Sequence, residues 1–210
     1  MPFKMGPVIA RFTLAIVAAS FPAMLIFCLL WTLFAYVPVA HWVWGGGWLS
    51  AMGVMDFAGG TVVHVNADVA TGLGTITPAL GFVGPMGALI IGASAGFTCY
   101  WATQLVKQRW VIDDSLDVFS MHGIGGALGM LLTGVLVMLT LGGAGLPEGI
   151  SLASQFGVQA LAVVATAAWS ALVSYLALKV AGAVVPLRVG VDEEIERLDR
   201  VNHEERGYNF

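Results

Sequence analysis

The stretch DFAGGTVVHVNADVA, residues 56–70, combines the small, branched and apolar residues of a membrane-buried segment with four polar side chains. These are Asp56, His64, Asn66 and Asp68. Ionisable groups are expensive to bury inside a membrane, and they commonly mark a pathway for ions or protons. The stretch therefore predicts a membrane segment that carries a functional polar site.

The composition of the 210-residue chain is that of an integral membrane protein. It is 58% hydrophobic and only 10% charged, with a mean hydropathy of +0.86, whereas a soluble domain has about 25% charged residues. Seven of the 13 acidic residues lie between Asp192 and Glu205, so the net charge of -4 belongs mostly to a C-terminal tail and no nucleic-acid partner is expected. Cys28 and Cys99 lie in apolar runs, which predicts core packing rather than a disulfide or a zinc site.

Apolar runs separated by polar or turn-rich segments predict an all-α, polytopic membrane protein with about five or six spans. The predicted spans are a long run within 12–40, followed by 57–76, 86–105, 116–141 and 154–180. The loop at 41–53 is rich in tryptophan, which suits a membrane interface. We expect residues 1–187 to form the membrane domain and residues 188–210 to form the charged tail.

The basic residues predict the orientation of the spans. Lys107 and Arg109 mark one loop as cytoplasmic, and the tail lies two spans later, so it is expected on the same side. If Arg11 lies inside, the predicted spans would put Lys107 and Arg109 outside. The number of predicted crossings between Arg11 and Lys107 therefore differs by one from the number that the basic residues require. Either residues 57–85 do not make one simple crossing or a part of the chain is missing near residue 70. We expect a multi-pass protein of the plasma (inner) membrane with a cytoplasmic C-terminus.

Two histidines occupy related positions in two apolar, glycine-rich segments. Asp56 lies after a loop and before a helical run, which is an N-cap position, and His64 follows about 12 Å further along a helix. The segment DVFSMHGIGG, residues 117–126, again opens with an aspartate after a polar loop and contains His122. The two segments would enter the membrane from opposite sides, as in an inverted repeat with its site near the midplane.

The residues alone leave several interpretations open. Two buried imidazoles that face one another can pass a proton or share one, but they can also be two unrelated packing histidines, or the haem ligands of a membrane cytochrome, which an absorbance spectrum would reveal. Trp44 is either an interface anchor or an aromatic face for a small cation. Asp114 and Asp117 precede the second histidine and are expected to have structural, helix-capping roles.

Five segments, in this order, resemble the ammonium transporter, methylammonium permease and Rhesus family. They are AHWVWGGGWL (40–49), DFAGGTVVHVNA (56–67), ITPALGFVGPMGALIIG (76–92), DDSLDVFSMHGIGGALGMLLTG (113–134) and LRVGVDEEIERLDRVNHEERGYNF (187–210). The resemblance covers about residues 22–210, and the two histidine-containing motifs together are specific to this family.

The resemblance implies a trimer of helical pores, each built on an inverted repeat of five plus five helices with one more helix after them. It implies transport of ammonium or methylammonium, with deprotonation of the ion in the pore and a proton relay through His64 and His122. Trp44 and Asp56 fall on the outer cation-binding site. The cytoplasmic tail resembles the segment that meets a PII signalling protein in many bacterial members. No cofactor is implied, and the chain is not expected to be an enzyme.

The chain also departs from the family pattern. Family members are much longer, and the first helices of the pattern are absent or replaced by residues 1–21. A join near 67–72 leads directly to the second half of a helix that belongs three crossings later, which is the discrepancy that the charges indicate. Two functions remain: transport through a histidine-lined pore, in a homotrimer or a mixed trimer, or the role of a non-transporting remnant or regulatory subunit that assembles with a full-length transporter.

Overall fold

A computed structural model describes residues 21–66, 77–110, 117 and 119–187, and every regular element within these ranges is helical. The α-helices are α1 Phe21–Trp31, α2 Val37–Val43, α3 Trp48–Ala51, α4 Pro85–Gln104, α5 Gly125–Leu136 and α6 Leu152–Val184. Wider, π-helical segments lie at Thr32–Tyr36, Gly60–Val65, Leu105–Arg109 and Phe119–Ile124, and 3-10 turns lie at Thr77–Ala79 and Leu139–Leu141. Gly60–Val65 is called the His64 segment and Phe119–Ile124 the His122 segment.

Four stretches of the described residues are long and apolar enough to cross a membrane. They are Pro22–Ala51, Pro85–Arg109, Phe119–Leu136 and Leu152–Val184. The last has 33 residues, or about 50 Å of helix, which exceeds a hydrocarbon layer of about 30 Å and requires tilt or projection beyond it. The prediction of an all-α, polytopic membrane protein is confirmed. Of the predicted span at 57–76, the described part is the His64 segment and its flanking residues.

The first span continues through Pro38, which would normally interrupt a helix. Proline has no backbone N–H, so the carbonyl of Phe34, four residues earlier, loses its helical partner. The chain widens into the π-helical turn Thr32–Tyr36 before the proline. The indole Nε1 of Trp169, on α6, then donates to the Phe34 carbonyl at 2.9 Å. A side chain of the last span thus replaces the missing bond and ties the first and last spans together.

The long helix α6 packs along both α1 and α5. Its buried residues recur every three or four positions, which places them on one face of the helix. They are Gln155, Gln159, Ala162, Thr166, Ser170, Val173, Ala177 and Ala181. Large apolar residues of α6, such as Leu161, Val164 and Leu172, are exposed. Small and polar side chains therefore face the interior and large apolar ones face outward, as is typical of helices packed in lipid.

Several expectations from the sequence fall outside the described residues. They are the join near 67–72, the capping role of Asp114, the tail at 188–210 and the replacement of the first helices by residues 1–21, of which the structure describes only residue 21. The division into a membrane domain at 1–187 and a tail therefore stays a prediction.

Candidate functional site: a pair of buried histidines

The carboxylate of Asp56 organises the start of the His64 segment. Asp56 is 5% exposed. Its Oδ1 accepts the backbone N–H groups of Gly59 and Gly60 at 2.8 and 2.6 Å, and its Oδ2 accepts those of Thr61 and Val62 at 2.7 and 3.2 Å. These N–H groups have no partner inside the first turn, and a carboxylate here also interacts favourably with the helix dipole. The N-cap residue of this segment is Gly59, and not Asp56 as the sequence predicted. The Asp56 side chain nevertheless caps the segment from three residues earlier, because it accepts the N–H groups of its first turn.

Gly59 determines how the backbone turns between Asp56 and His64. Its φ of 97° lies in the left-handed region that glycine adopts without strain. Its carbonyl accepts the N–H of Val63 at 2.8 Å and that of His64 at 2.9 Å, and the second bond spans five residues as in a π-helix. Such wide turns are rare and frequently occur at functional sites. The wider turn gives His64 a different direction from the one that an α-helix would give it.

The His122 segment is held against the end of α4 and its π-helical extension. Phe119 packs on the buried Val106, and Nζ of Lys107 lies 2.8 Å from Oδ1 of Asp117. Asp117 has a φ of 56°, and its carbonyl accepts the N–H of Met121 at 2.9 Å. Asp117 thus starts the hydrogen bonding of the His122 segment through its backbone and anchors that segment through its side chain.

The side chains of His64 and His122 lie face to face. Their ring centroids are 5.6 Å apart and their planes are inclined by 18°. His64 is 9% exposed and His122 is 1% exposed. The His64 segment packs against both the His122 segment and α5, which brings the two rings together. Two stacked imidazoles in such a shielded place can exchange a proton or hydrogen-bond a small molecule.

Further polar atoms with unused hydrogen-bonding capacity lie on the same two segments. Within the described residues, Nδ1 of His64, Oγ1 of Thr61 and Oγ of Ser120 are buried and make no hydrogen bond. Buried polar groups normally have a partner in the protein or in an ordered small molecule. The site therefore offers hydrogen bonds to a small polar solute.

No group of three or more His, Cys, Asp or Glu side chains that could hold a metal ion occurs in the described part of the chain.

Gly126 allows α5 to approach the His64 segment closely. A Cβ atom at this position would lie 3.0 Å from Cβ of His64 and 3.3 Å from the carbonyl oxygen of Gly60. Real Cβ atoms seldom come so close to their neighbours. The spacing between α5 and His64 therefore depends on the missing side chain.

Replacement of Gly126 by alanine is expected to push the His64 segment away from α5 and to lower the free energy of unfolding by about 1–3 kcal/mol, the usual cost of overpacking. Denaturant unfolding of the purified protein in detergent measures this change. Gly157→Ala on α6 is the matched control, because a Cβ at Gly157 meets nothing within 4 Å. Equal stability of the two variants would contradict the close contact at Gly126.

Trp44 lies beside Asp56 near the end of the first span. Its indole Nε1 donates to the backbone carbonyl of Asp56 at 2.8 Å, and the residue is 46% exposed. A Cβ atom at Gly59 would lie 3.3 Å from the Trp44 ring, so the ring also covers the start of the His64 segment. The structure thus brings the two residues of the predicted outer site together. One presents an exposed aromatic ring, and the other is a buried carboxylate whose oxygens are occupied by backbone N–H groups.

Two glutamines of α6 also contact this region, and neither is among the site residues that the sequence predicts. Gln159 is fully buried and bonds the backbone of Met55 and Met130. Nε2 of Gln155 donates to the carbonyl of Gly53 at 3.0 Å. Their signal in the sequence is two amides spaced by four in an apolar helix, which places them on one face. Amides inside membrane helices commonly bond a neighbouring helix or loop.

Comparison with known proteins assigns the sequence to a family. The model of the Ammonium Transporter Family matches residues 9–72 and 68–208. The ammonium transporter of Aquifex aeolicus is 32% identical over 297 aligned positions, which cover 96% of this chain and 70% of that protein. The ammonium transporter of Bacillus subtilis is 28% identical over 297 positions, which cover 95% and 73%. Since the chain has 210 residues, these relatives contain segments with no counterpart in it.

Solved structures share the fold. Mep2 of Saccharomyces cerevisiae superposes with a TM-score of 0.70 at 25% identity, over 84% of this chain and 63% of that one. A structure described as a Sensor Amt Protein superposes with a TM-score of 0.67 at 20% identity, over 80% of this chain and 66% of that one. The chain therefore spans less than two thirds of each of these solved chains.

Proposed function

Because this chain belongs to the Ammonium Transporter Family, we propose that it carries ammonium across a membrane along a path lined by His64 and His122. The observation that carries the proposal is the stacking of these two buried rings, 5.6 Å apart. A charged ion is costly inside a membrane. Neutral imidazoles can accept hydrogen bonds from the solute and take up its proton, so that ammonia and the proton pass separately.

We assign collection of the cation at the outer side to Trp44 and Asp56. The exposed ring of Trp44 offers an aromatic face to a small cation, an attraction of about 0.5–1 kcal/mol at an exposed site. The oxygens of Asp56 are already bonded to backbone N–H groups. Asp56 therefore attracts the cation through its negative charge rather than by direct contact, and it holds the His64 segment at the same time.

The proposed assembly is a trimer in the plasma membrane, either of identical chains or mixed with a full-length transporter, with the C-terminus in the cytoplasm. The tail at 188–210 is proposed to meet a PII signalling protein. We also propose that the chain joins two parts of the family fold near 67–72. The division of the family match into two segments that meet at 68–72 supports this join.

Ammonium-evoked current in proteoliposomes that contain the purified full chain tests the proposal. The unmodified chain is expected to give a current, and His64→Ala or His122→Ala is expected to lower it on the order of 100-fold, the scale of a lost proton-transfer group. His41→Ala, at an exposed histidine near the end of α2, is the control and should leave the current unchanged. Absence of current from folded, inserted protein, or a current that neither substitution alters, would overturn the proposal.

A second candidate function is that of a non-transporting subunit. It is favoured by the segments of the relatives that have no counterpart in this chain. A subunit of this kind co-purifies with a full-length ammonium transporter from cells that express both, changes the current of that transporter and gives no current alone. Failure to co-purify, together with a current from the isolated chain, would exclude it.

A further inference from the structure

We propose that Gln159, on α6, is a positioning residue that sets the relative placement of the two histidines. It would do so by bonding, with one side chain, the backbone that leads into the His64 segment and the helix that continues the His122 segment. The inference rests on the proposed transport function for its physiological meaning, but the placement itself can be measured without transport.

The amide of Gln159 uses its hydrogen-bonding capacity on two separate elements. Its Oε1 accepts the N–H of Met55 at 2.9 Å, and its Nε2 donates to the carbonyl of Met55 at 2.8 Å. The same Nε2 donates to the carbonyl of Met130, on α5, at 3.1 Å. Because the amide pairs with both polar groups of Met55, it fixes the orientation of that residue's backbone as well as its distance from α6. The side chain is 0% exposed, so water does not compete for these bonds.

From Met55 the contacts lead to His64. Met55 immediately precedes Asp56, whose carboxylate bonds the first N–H groups of the His64 segment. The carbonyl of Asp56 is itself held by the indole of Trp44. A shift of Met55 would therefore move the cap, and with it the turn that directs His64.

The bond to Met130 connects Gln159 with the part of the chain that follows His122. Met130 lies four residues after Gly126 on α5, and α5 follows directly on the His122 segment. A Cβ atom at Gly126 would lie 3.0 Å from Cβ of His64, so α5 passes close to His64 at this position. Gln159 therefore ties the backbone that leads into the His64 segment to the helix that continues the His122 segment.

The packing of α5 against Gln159 depends on a glycine of α5. A Cβ atom at Gly134, on α5, would lie 2.9 Å from Cγ of Gln159, so α5 can approach the glutamine only because residue 134 is glycine. This close approach brings the Met130 carbonyl, one turn earlier on α5, within reach of Nε2.

The test uses Gln159→Glu, which keeps the size of the side chain. The glutamate side chain can donate a hydrogen bond only when its carboxyl group is protonated. An ionised carboxylate can still accept from Met55 N–H, but it cannot donate to either carbonyl. A protonated carboxyl can donate to one of them. Transport relative to the unmodified chain at the same pH is expected to fall at least tenfold at alkaline pH and to recover in part as the pH is lowered. Gln159→Leu removes the bonds at every pH and should show no such recovery.

Thr166→Val is the matched control, since Thr166 is buried on the same face of α6 and its hydroxyl makes no hydrogen bond within the described residues. It should keep the transport rate and pH profile of the unmodified chain. If Gln159 served only overall folding, Gln159→Glu would reduce the yield of folded protein while the transport per folded molecule kept an unchanged pH profile, and the inference would be wrong.

Amide hydrogen exchange of the purified chain in detergent provides the readout that does not need transport. With Gln159→Glu at alkaline pH, the N–H groups of residues 59–64 are expected to exchange faster, and acidification should restore part of their protection relative to the unmodified chain. Unchanged protection of residues 59–64 would overturn the positioning role. Changed protection together with an inactive unmodified chain would refute the proposed transport function and leave the positioning role intact.

Discussion

Replacement of Asp56 by alanine is expected to lower the free energy of unfolding by at least about 4 kcal/mol and to abolish transport. The substitution removes the acceptor of four backbone N–H groups in a buried turn. Hydrogen bonds to a charged group contribute about 1.5–3 kcal/mol each, and an orphaned buried donor costs about 1–3 kcal/mol. Asp56 is 5% exposed, so water has little access to the N–H groups that the substitution would free. The midpoint of denaturant unfolding in detergent measures the loss.

The Asp56→Asn variant keeps the size of the side chain but removes its negative charge. The asparagine keeps one carbonyl oxygen as an acceptor but points an N–H donor at the remaining N–H groups, so its loss of stability is expected to be roughly half that of the alanine variant. Enough folded protein should remain to measure transport. If the charge of Asp56 attracts the cation, the apparent affinity for ammonium falls in this variant. An alanine variant as stable as the unmodified chain would contradict the capping role.

Replacement of Gly60 by alanine has the second largest expected effect, a loss of about 3 kcal/mol, at the upper end of the usual cost of overpacking. A Cβ atom here would lie 2.5 Å from Cβ and 2.7 Å from Cγ of Pro78. The proline ring is rigid, and the N–H of Gly60 is bonded to Asp56 at 2.6 Å, so neither side can move away freely. Either the turn at Thr77–Ala79 or the Asp56 cap must shift. Unfolding in detergent and the current together report this shift.

Gly92→Ala is the control for Gly60→Ala, because a Cβ at Gly92, on α4, meets nothing within 4 Å. Alanine in an exposed helix is expected to be neutral or to stabilise by up to about 1 kcal/mol. The double variant Gly60→Ala with Pro78→Gly removes the opposing ring and should recover part of the lost stability. A Gly60→Ala protein that matches the Gly92→Ala protein in stability would show that the proline does not press on this turn.

The helices and the cap of the His64 segment could be predicted because their causes are local. Runs of apolar residues long enough to cross the bilayer predict the helices at Pro85–Gln104 and Leu152–Val184 to within a few residues. Asp56 reaches only groups between Gly59 and Val62, all within six residues, so its capping geometry follows from its position between a loop and a helix.

Other features escaped prediction because their causes lie far away in the chain. The amide of Gln159 bonds Met55, 104 positions earlier, and nothing near either residue specifies the other. The indole of Trp169 replaces the helical partner of Phe34 across 135 positions. A periodic pattern shows which face of a helix is buried, but it does not show which backbone groups of another element lie opposite that face.

Residue types and their order along the chain are enough to predict a polytopic helical membrane protein that resembles the ammonium transporters. They also identify His64 and His122 as the ionisable residues of two apolar segments. The transfer of apolar residues out of water and the capping of free N–H groups depend on residue type and near neighbours, so they can be read along the chain. The stacking of the two rings 5.6 Å apart becomes visible only in the folded chain. The same holds for the close approach of α5 to His64 at Gly126 and for the bonds of Gln159 to Met55 and Met130. Those distances result from the packing of whole helix surfaces, which no single segment specifies.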